Sequence, residues 1–470
     1  MQGFCQRARR GVRAHRAGRA GAGWFCLALA VALSQAVGVS SAVAQNKPAA
    51  AFDASDTILA WGDNDGGELG DGTTTDRLTP VAVDLPVDTT VTAVAAGHDH
   101  SLAVTSGGTV LAWGDNRFGQ LGDGTTTDSI TPVEVSLPTG TTTTITAIAA
   151  GDDHSLAVTS AGTALAWGDN DRGELGDGTT TDSSMPVAVD LPADTTVTAI
   201  AGGIAHGLAL TSTGTALAWG LNSDGQLGDG TTMDSSTPVE VSLPPGTTIT
   251  AIAAGARHSL ALTSAGTLLT WGDNDDGELG DGTTMDRSAP VEVSLPAGVT
   301  ITAVDGGRDH SLAVTTGGTV LAWGSNSIGQ LGDGTTMDHS APVEVSLPAN
   351  TTITAVAAGS LHNLAVTSGG TVLAWGNNSD GRLGDGTTTN SSAPVEVSLP
   401  AGTTITATTA GAFHSMALVA PPPASTASPD LPTTGGTDLP ITLTAAVLLI
   451  LTGAALIHLA YLPRSTHRPG

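Results

Sequence analysis

A chain of 470 residues with a formal charge of −28, 62 glycines and only 3% aromatic residues cannot rest on one aromatic-rich core. Between residues 45 and 434, 8 basic residues stand against 43 acidic ones, a balance that excludes nucleic acid and anionic lipid as partners. Cys5 and Cys26 are the only cysteines, and both precede residue 45, so no disulfide framework is available beyond that point.

Residues 1–44 carry Arg7, Arg9, Arg10, Arg13, Arg16 and Arg19 without an acid, then the apolar run 24–33, then Ala42-Val43-Ala44 before Gln45. That order predicts an export signal cut between Ala44 and Gln45, with an apolar stretch too short to persist as an anchor. Residues 45–56 form a lead segment, and a repeat region runs from 57 to 420. Its marks are Trp61, Trp113, Trp167, Trp219, Trp271, Trp323 and Trp375, spaced by 52 residues except for one gap of 54. A matching phrase carries His100, His154, His206, His258, His310, His362 and His414. A fixed period of this length means stacked supersecondary units.

Each repeat offers four strand-like runs, typified by Ile145–Ala149, His154–Thr159, Thr163–Trp167 and Pro186–Leu191, called A to D. In the D run, Val133, Val135 and Leu137 fall on one side and Glu134 and Ser136 on the other. The short B–C connection Thr105-Ser-Gly-Gly-Thr109 suits a hairpin, because glycine reaches the positive φ that tight turns demand. Four antiparallel strands per repeat, arranged radially, describe a propeller blade, so the fold class is all-β with seven blades. The first Trp precedes the first repeat His. The chain therefore opens with C and D (57–61, 81–85) and ends with A and B (403–408, 414–419), and these four complete one shared blade. Closure of this kind hides strand edges that would otherwise pair with other chains. Each Trp is expected between blades, where burying about 150–250 Å² contributes roughly 4–6 kcal/mol gross, an upper bound.

Beyond the repeats, 421–430 is a Pro/Ser-rich linker, Leu431-Pro432-Thr433-Thr434-Gly435 follows, and 441–462 is 22 residues with His458 its sole ionisable member. That length suffices to span a bilayer as a transmembrane helix, with the basic tail 463–470 on the cytoplasmic side.

The phrase Ala-Gly-x-x-His-Ser-Leu-Ala-Val-Thr, then Gly-Thr-Val-Leu-Ala-Trp-Gly-x-Asn-x-x-Gly-Gln-Leu-Gly-x-Gly, resembles the repeat of the regulator of chromosome condensation family over 57–420. The resemblance implies a seven-bladed propeller closed by strands from both ends, and a protein-binding face. Leu431–Gly435 with its apolar span and basic end resembles a sortase signal of Gram-positive surface proteins. It implies a cut between Thr434 and Gly435 and transfer of Thr434 to peptidoglycan, leaving membrane contact only through the span before sorting. Two alternatives stay open by family analogy: a guanine nucleotide exchange factor-like regulator and a secreted enzyme inhibitor.

No chemistry stands out. One His per repeat, at the start of strand B, forms a ring too widely spaced to share a metal, so the expected role is structural, with a ring nitrogen bonded to backbone. His98, extra in the first copy, is expected to be solvated. The acidic loop Asp63–Gly72 lacks the ligand pattern of a calcium-binding hand, since Gly67 takes the fifth place and Thr74 the twelfth, and Asx-turns explain it. No catalytic motif, metal set or cofactor fingerprint appears, and no enzyme activity is expected. Differences among near-identical copies are more telling, because the fold does not dictate them. They cluster two residues before each repeat His and after each Trp-Gly-x-Asn, in loops that leave an antiparallel blade at the same end. The candidate binding face therefore comprises Arg117, Phe118, Arg172, Ile204, Arg257, Arg308, Ile328, Leu361 and Phe413, for an unknown extracellular protein or polysaccharide.

Overall fold

In the computed structural model, residues 58–138 and 144–420 are described. The expected export signal with its Ala44–Gln45 cut, the lead segment, the linker, the Leu431–Gly435 motif, the 441–462 span and the basic tail lie outside the described residues. Twenty-eight strands, and no helix, make up the described part, in seven four-stranded antiparallel sheets. Among these residues no helix is long and apolar enough to cross a membrane.

Blade 1 shows how one repeat builds a sheet. Its strands are β3 (Val91–Ala96), β4 (His100–Thr105), β5 (Val110–Gly114) and β6 (Ser129–Glu134), in the spatial order β3-β4-β5-β6. The inner three are rich in Ala, Val and Leu and, apart from Thr92 and Thr105, are buried by the adjoining blades. In the β4–β5 pair His100 lies opposite Gly114 and Ser101 opposite Trp113. Strand D is the outer edge, where Pro132 costs no ladder bond; the β5–β6 register slips between Ala112 and Gly114. The D strands begin and end about three residues earlier than the expected Pro186–Leu191: in blade 2 the strand is Ser183–Ala188. Their forward half is polar, so hydrophobic alternation locates only the later residues.

Blades 2 to 6 repeat this plan over 145–188, 197–240, 249–292, 301–344 and 353–396. Blade 7 is composite: β1 (Ile58–Gly62) and β2 (Arg77–Ala82) join β27 (Ile405–Ala410) and β28 (His414–Val419) in the order β2-β1-β28-β27. Ile58 pairs with Leu418 and Gly62 with His414, so the expected closure by strands from both ends is present.

All seven repeat tryptophans are fully buried. Each donates its indole N–H to a carbonyl of the preceding blade, Trp113 to Glu68 at 2.8 Å and Trp61 to Arg382 at 2.9 Å. The core is accordingly a set of inter-blade clusters: Trp167 of blade 2 packs with Leu102, Val110 and Val135 of blade 1. Gly70 has φ +64°, and a Cβ there would lie 2.8 Å from the Trp113 ring, so no other residue fits between that loop and its neighbour's indole.

Candidate binding face

The C–D loop is shaped by a buried asparagine. The Asn64 side chain donates to the carbonyls of Thr73 and Thr75 at 3.1 and 3.2 Å, and its Oδ1 accepts the Leu69 N–H at 2.9 Å. Asp76 accepts the Asn64 N–H, while Asp71 accepts from Thr73 in an Asx-turn. Equivalent bonds recur at Asn116, Asn170, Asn222, Asn274 and Asn378, so much of the loop acidity is spent on turn geometry.

The A–B and C–D loops meet at one end of each blade, as expected: the Asp115 N–H donates to Asp99 O at 2.8 Å and that of Asp63 to Phe413 O at 3.0 Å. Phe118, Ile204, Ile328, Leu361 and Phe413 are all half-buried there, each partly covered by its neighbours. The four arginines are engaged with carboxylates of the same face. Arg117 lies 2.5 Å from Asp115, Arg172 3.6 Å from Asp234, Arg257 3.4 Å from Asp224 and Arg308 3.1 Å from Asp309. The most exposed large apolar residues of the repeat loops lie elsewhere, at Val87 after strand D and at Met233, Met285 and Met337 of three successive C–D loops. A Thr/Met variation at the methionine position is visible in the sequence when the loops are aligned.

The densest charge cluster spans blades 6, 7, 1 and 2. Arg382 is 2% exposed, pairs with Asp380 and sits 4.8 Å over the Phe413 ring, whose edge meets His98 at 5.0 Å. His98 is therefore not solvated. Burial alone would lower its pKa, but the hydrogen bond to Asp99 at 2.8 Å and the nearby Asp152 and Asp153 outweigh it and raise it to about 9. Burial pushes Asp152 up to about 7 and Asp153 to about 6. These partners were missed because only apolar and cationic loop residues were taken as anchors.

One position beneath the face alternates around the ring: Glu68, Gln120, Glu174, Gln226, Glu278, Gln330 and Arg382. Each of the first six accepts the N–H two residues earlier, from Gly66 at 2.9 Å or Phe118 at 3.0 Å for example. Gln120 donates onward to Asp115 and Asp153, both at 3.2 Å. A glutamate cannot do so, and burial pushes Glu174 up to about 8 and Glu68 and Glu278 well above the usual range.

The repeat histidines are buried, and where they are paired the ring nitrogen meets a side chain of the next blade, whereas a backbone partner was expected. Nε2 of His258 meets the Ser311 hydroxyl of the next blade at 2.8 Å, and that hydroxyl donates to Glu278 O. With the hydroxyl proton committed, the imidazole must be the donor. His310 makes the same link to Asn363 Oδ1 at 2.7 Å. His154 is the exception: Gly207 stands where the others have Ser or Asn, and neither ring nitrogen has a hydrogen-bond partner.

Three carboxylate groups among the described residues have the reach of a cation site: Asp63, Asp65 and Asp76; Asp169, Asp171 and Asp182; Asp273, Asp275 and Asp286. Each falls in a blade with Glu at the alternating position.

Comparison with known proteins places this ring. The profile of the RCC1-like domain matches residues 28–352, and the regulator of chromosome condensation (RCC1) repeat matches 353–382 and 369–418. The chain belongs to the RCC1-like repeat family. The RCC1-like chain is 35% identical to the ultraviolet-B receptor UVR8 of Arabidopsis thaliana over 332 residues, 70% of this chain and 75% of the receptor. It is 32% identical to the human E3 ubiquitin-protein ligase HERC2 over 363 residues, 77% of this chain but only 8% of the ligase. Among solved structures, Prp20p of Saccharomyces cerevisiae, studied for its binding to Gsp1p and histones, is similar with TM-score 0.69 and 25% identity, covering 77% of this chain and 91% of that one. The relatives named thus include a receptor, a ligase matched over a small part of its length, and a protein that binds Gsp1p and histones.

Proposed function

We propose that this RCC1-like propeller is exported and wall-anchored, and that its A–B/C–D face binds a protein or polysaccharide outside the cell. The observation that carries the reading is the meeting of both variable loop sets on one face, over a framework of Trp, Asn and His that hardly changes. Export and anchoring are supported by the arginine-rich apolar segment 1–44, the Leu431–Gly435 motif and the apolar run 441–462. A sortase would then join Thr434 to peptidoglycan. The reading is of binding and not catalysis, in keeping with the receptor and binding relatives.

The test immobilises the full chain and offers it extracellular proteins and wall polysaccharides, beside a variant with Phe118, Ile204, Ile328 and Leu361 changed to Ser. We expect a captured component to be lost by the variant while both proteins melt alike. Equal capture by both would refute the role of this face, and finding the chain uncut at Ala44 in the cytoplasm would refute its export.

A further inference from the structure

The seven seams are built to one plan, so each can be read against the others. At the loop-bearing end a relay locks the seam: the imidazole that starts strand B meets a side chain of the next blade, and that side chain donates back to a C–D loop carbonyl. His100, Ser155 and the Gln120 carbonyl join blades 1 and 2 in this way at 2.9 and 2.8 Å, and His206, Ser259 and the Gln226 carbonyl join blades 3 and 4 at 3.1 and 2.9 Å. Equivalent relays run through Ser311, Asn363, Ser415 and Ser101.

The seam of blades 2 and 3 has no relay. Gly207 offers neither hydroxyl nor amide, His154 has no hydrogen-bond partner, and the Glu174 carbonyl keeps the Trp219 indole alone. A Cβ at Gly207 would lie 2.5 Å from the Trp219 ring, so the indole leans into the room a serine takes at other seams. The A–B loops tell the same story. Ala412 donates its N–H to Gly97 O at 3.1 Å, His98 to Asp152 O at 3.2 Å, and Ile204 to Ala256 O at 3.0 Å, each across a seam. Among the described residues no such backbone bond joins the A–B loops of blades 2 and 3. What remains there is the Arg172–Asp234 pair at 3.6 Å, exposed and screened, and the apolar cluster of Leu156, Val158, Ile200, Leu217 and Trp219. The far end is fastened as elsewhere, by the Val197 N–H on Gly162 O at 2.8 Å.

We propose that the ring opens first between blades 2 and 3, parting from the loop-bearing face downward and hinging at the Val197–Gly162 bond. Every strand pairing lies within a blade, so this opening breaks none of them, and it divides the variable face at one fixed place. The inference rests on the geometry of the seams and not on what the face binds.

The test follows hydrogen–deuterium exchange of the seven repeat indoles by NMR on the full chain, each signal assigned by a single Trp→Phe substitution. Every one of these indole N–H groups bridges one seam, so its exchange reports the opening of that seam. We expect Trp219 to exchange roughly tenfold faster than Trp167 and Trp271, its neighbours around the ring, and faster than the chain unfolds as a whole. Ser259→Gly copies Gly207 at the seam of blades 3 and 4, and should speed Trp271 by roughly threefold while leaving Trp323 unchanged. Exchange of Trp219 in step with the other six, a faster indole at another seam, or all seven exchanging at the rate of global unfolding would overturn the proposal. A Trp271 indifferent to Ser259→Gly would overturn it too. The comparison within the parent chain decides the matter even if that variant fails to fold.

Discussion

Glu278 faces Asp273 and Asp309, as Gln120 faces Asp115 and Asp153, and both positions are almost wholly buried. An amide there satisfies two carboxylates, whereas a carboxyl must hold a proton or repel them. Glu278→Gln is expected to raise stability at pH 7 by roughly 1–3 kcal/mol, read from denaturant midpoints. The sign follows from linkage: the raised folded pKa makes a contribution that is fully present below 4.5 and is lost as pH rises through the folded value. The repeat histidines act in the other direction. Burial lowers His154, His206 and His258 to about 3, so their contribution is present above 6.5 and is lost as pH falls toward that value. Together these groups place maximal stability toward the upper end of the window between 4.5 and 6.5, because three histidines outweigh one glutamate, and the Gln variant should flatten the alkaline side of the curve while leaving the acid side unchanged. The Glu/Gln alternation is plain in the sequence. That its members face the loop carboxylates was not, because the contact crosses from one blade to the next.

At the scale of the blade, seams differ in how they are pinned. His258–Ser311 ties blades 4 and 5, and His362–Ser415 ties blades 6 and 7, but His154 of blade 2 faces Gly207 and makes no such tie. Replacing a paired imidazole removes a bond, while replacing an orphaned one removes only a desolvation cost. His258→Leu should therefore cost about 1–3 kcal/mol, whereas His154→Leu should be neutral or stabilising. Equal losses on thermal unfolding would show that the two histidines are held by shape alone. Strands A, B and C were legible because they are buried, uninterrupted and bounded by Gly. Strand D was displaced by about three residues, because an edge strand facing solvent carries polar residues such as Ser183 and Ser184 that hydrophobic pattern cannot separate from loop.

The ring as a whole depends on β1 and β2 completing the sheet that β27 and β28 begin. Without them β28 presents an unpaired edge and blade 1 loses its neighbour's indole acceptor at Glu68. A chain lacking residues 58–82 should lose its sharp thermal transition and self-associate on gel filtration, and a separate peptide of 58–82 should restore both. Unchanged melting would mean that six and a half blades suffice. The number of blades and the closure were legible from the period and its offset alone. The character of the face was legible only in part: the variable loops were found, but the pairing of Arg172 with Asp234 and of Arg257 with Asp224 arises from curvature that brings successive repeats side by side.

The antiparallel pairing of Ile58 with Leu418 has one more consequence. The ring has no physically distinguished first blade: the break in the backbone falls between strands B and C of blade 7, and these two flanking strands are hydrogen-bonded partners. A circularly permuted chain, with 58 and 420 joined by a short hairpin loop like those elsewhere between B and C and new ends cut in another B–C turn, preserves every sheet. The six B–C turns and the existing break in blade 7 are therefore seven interchangeable points at which this ring can be opened, tethered or fused without disturbing the opposite, loop-bearing face.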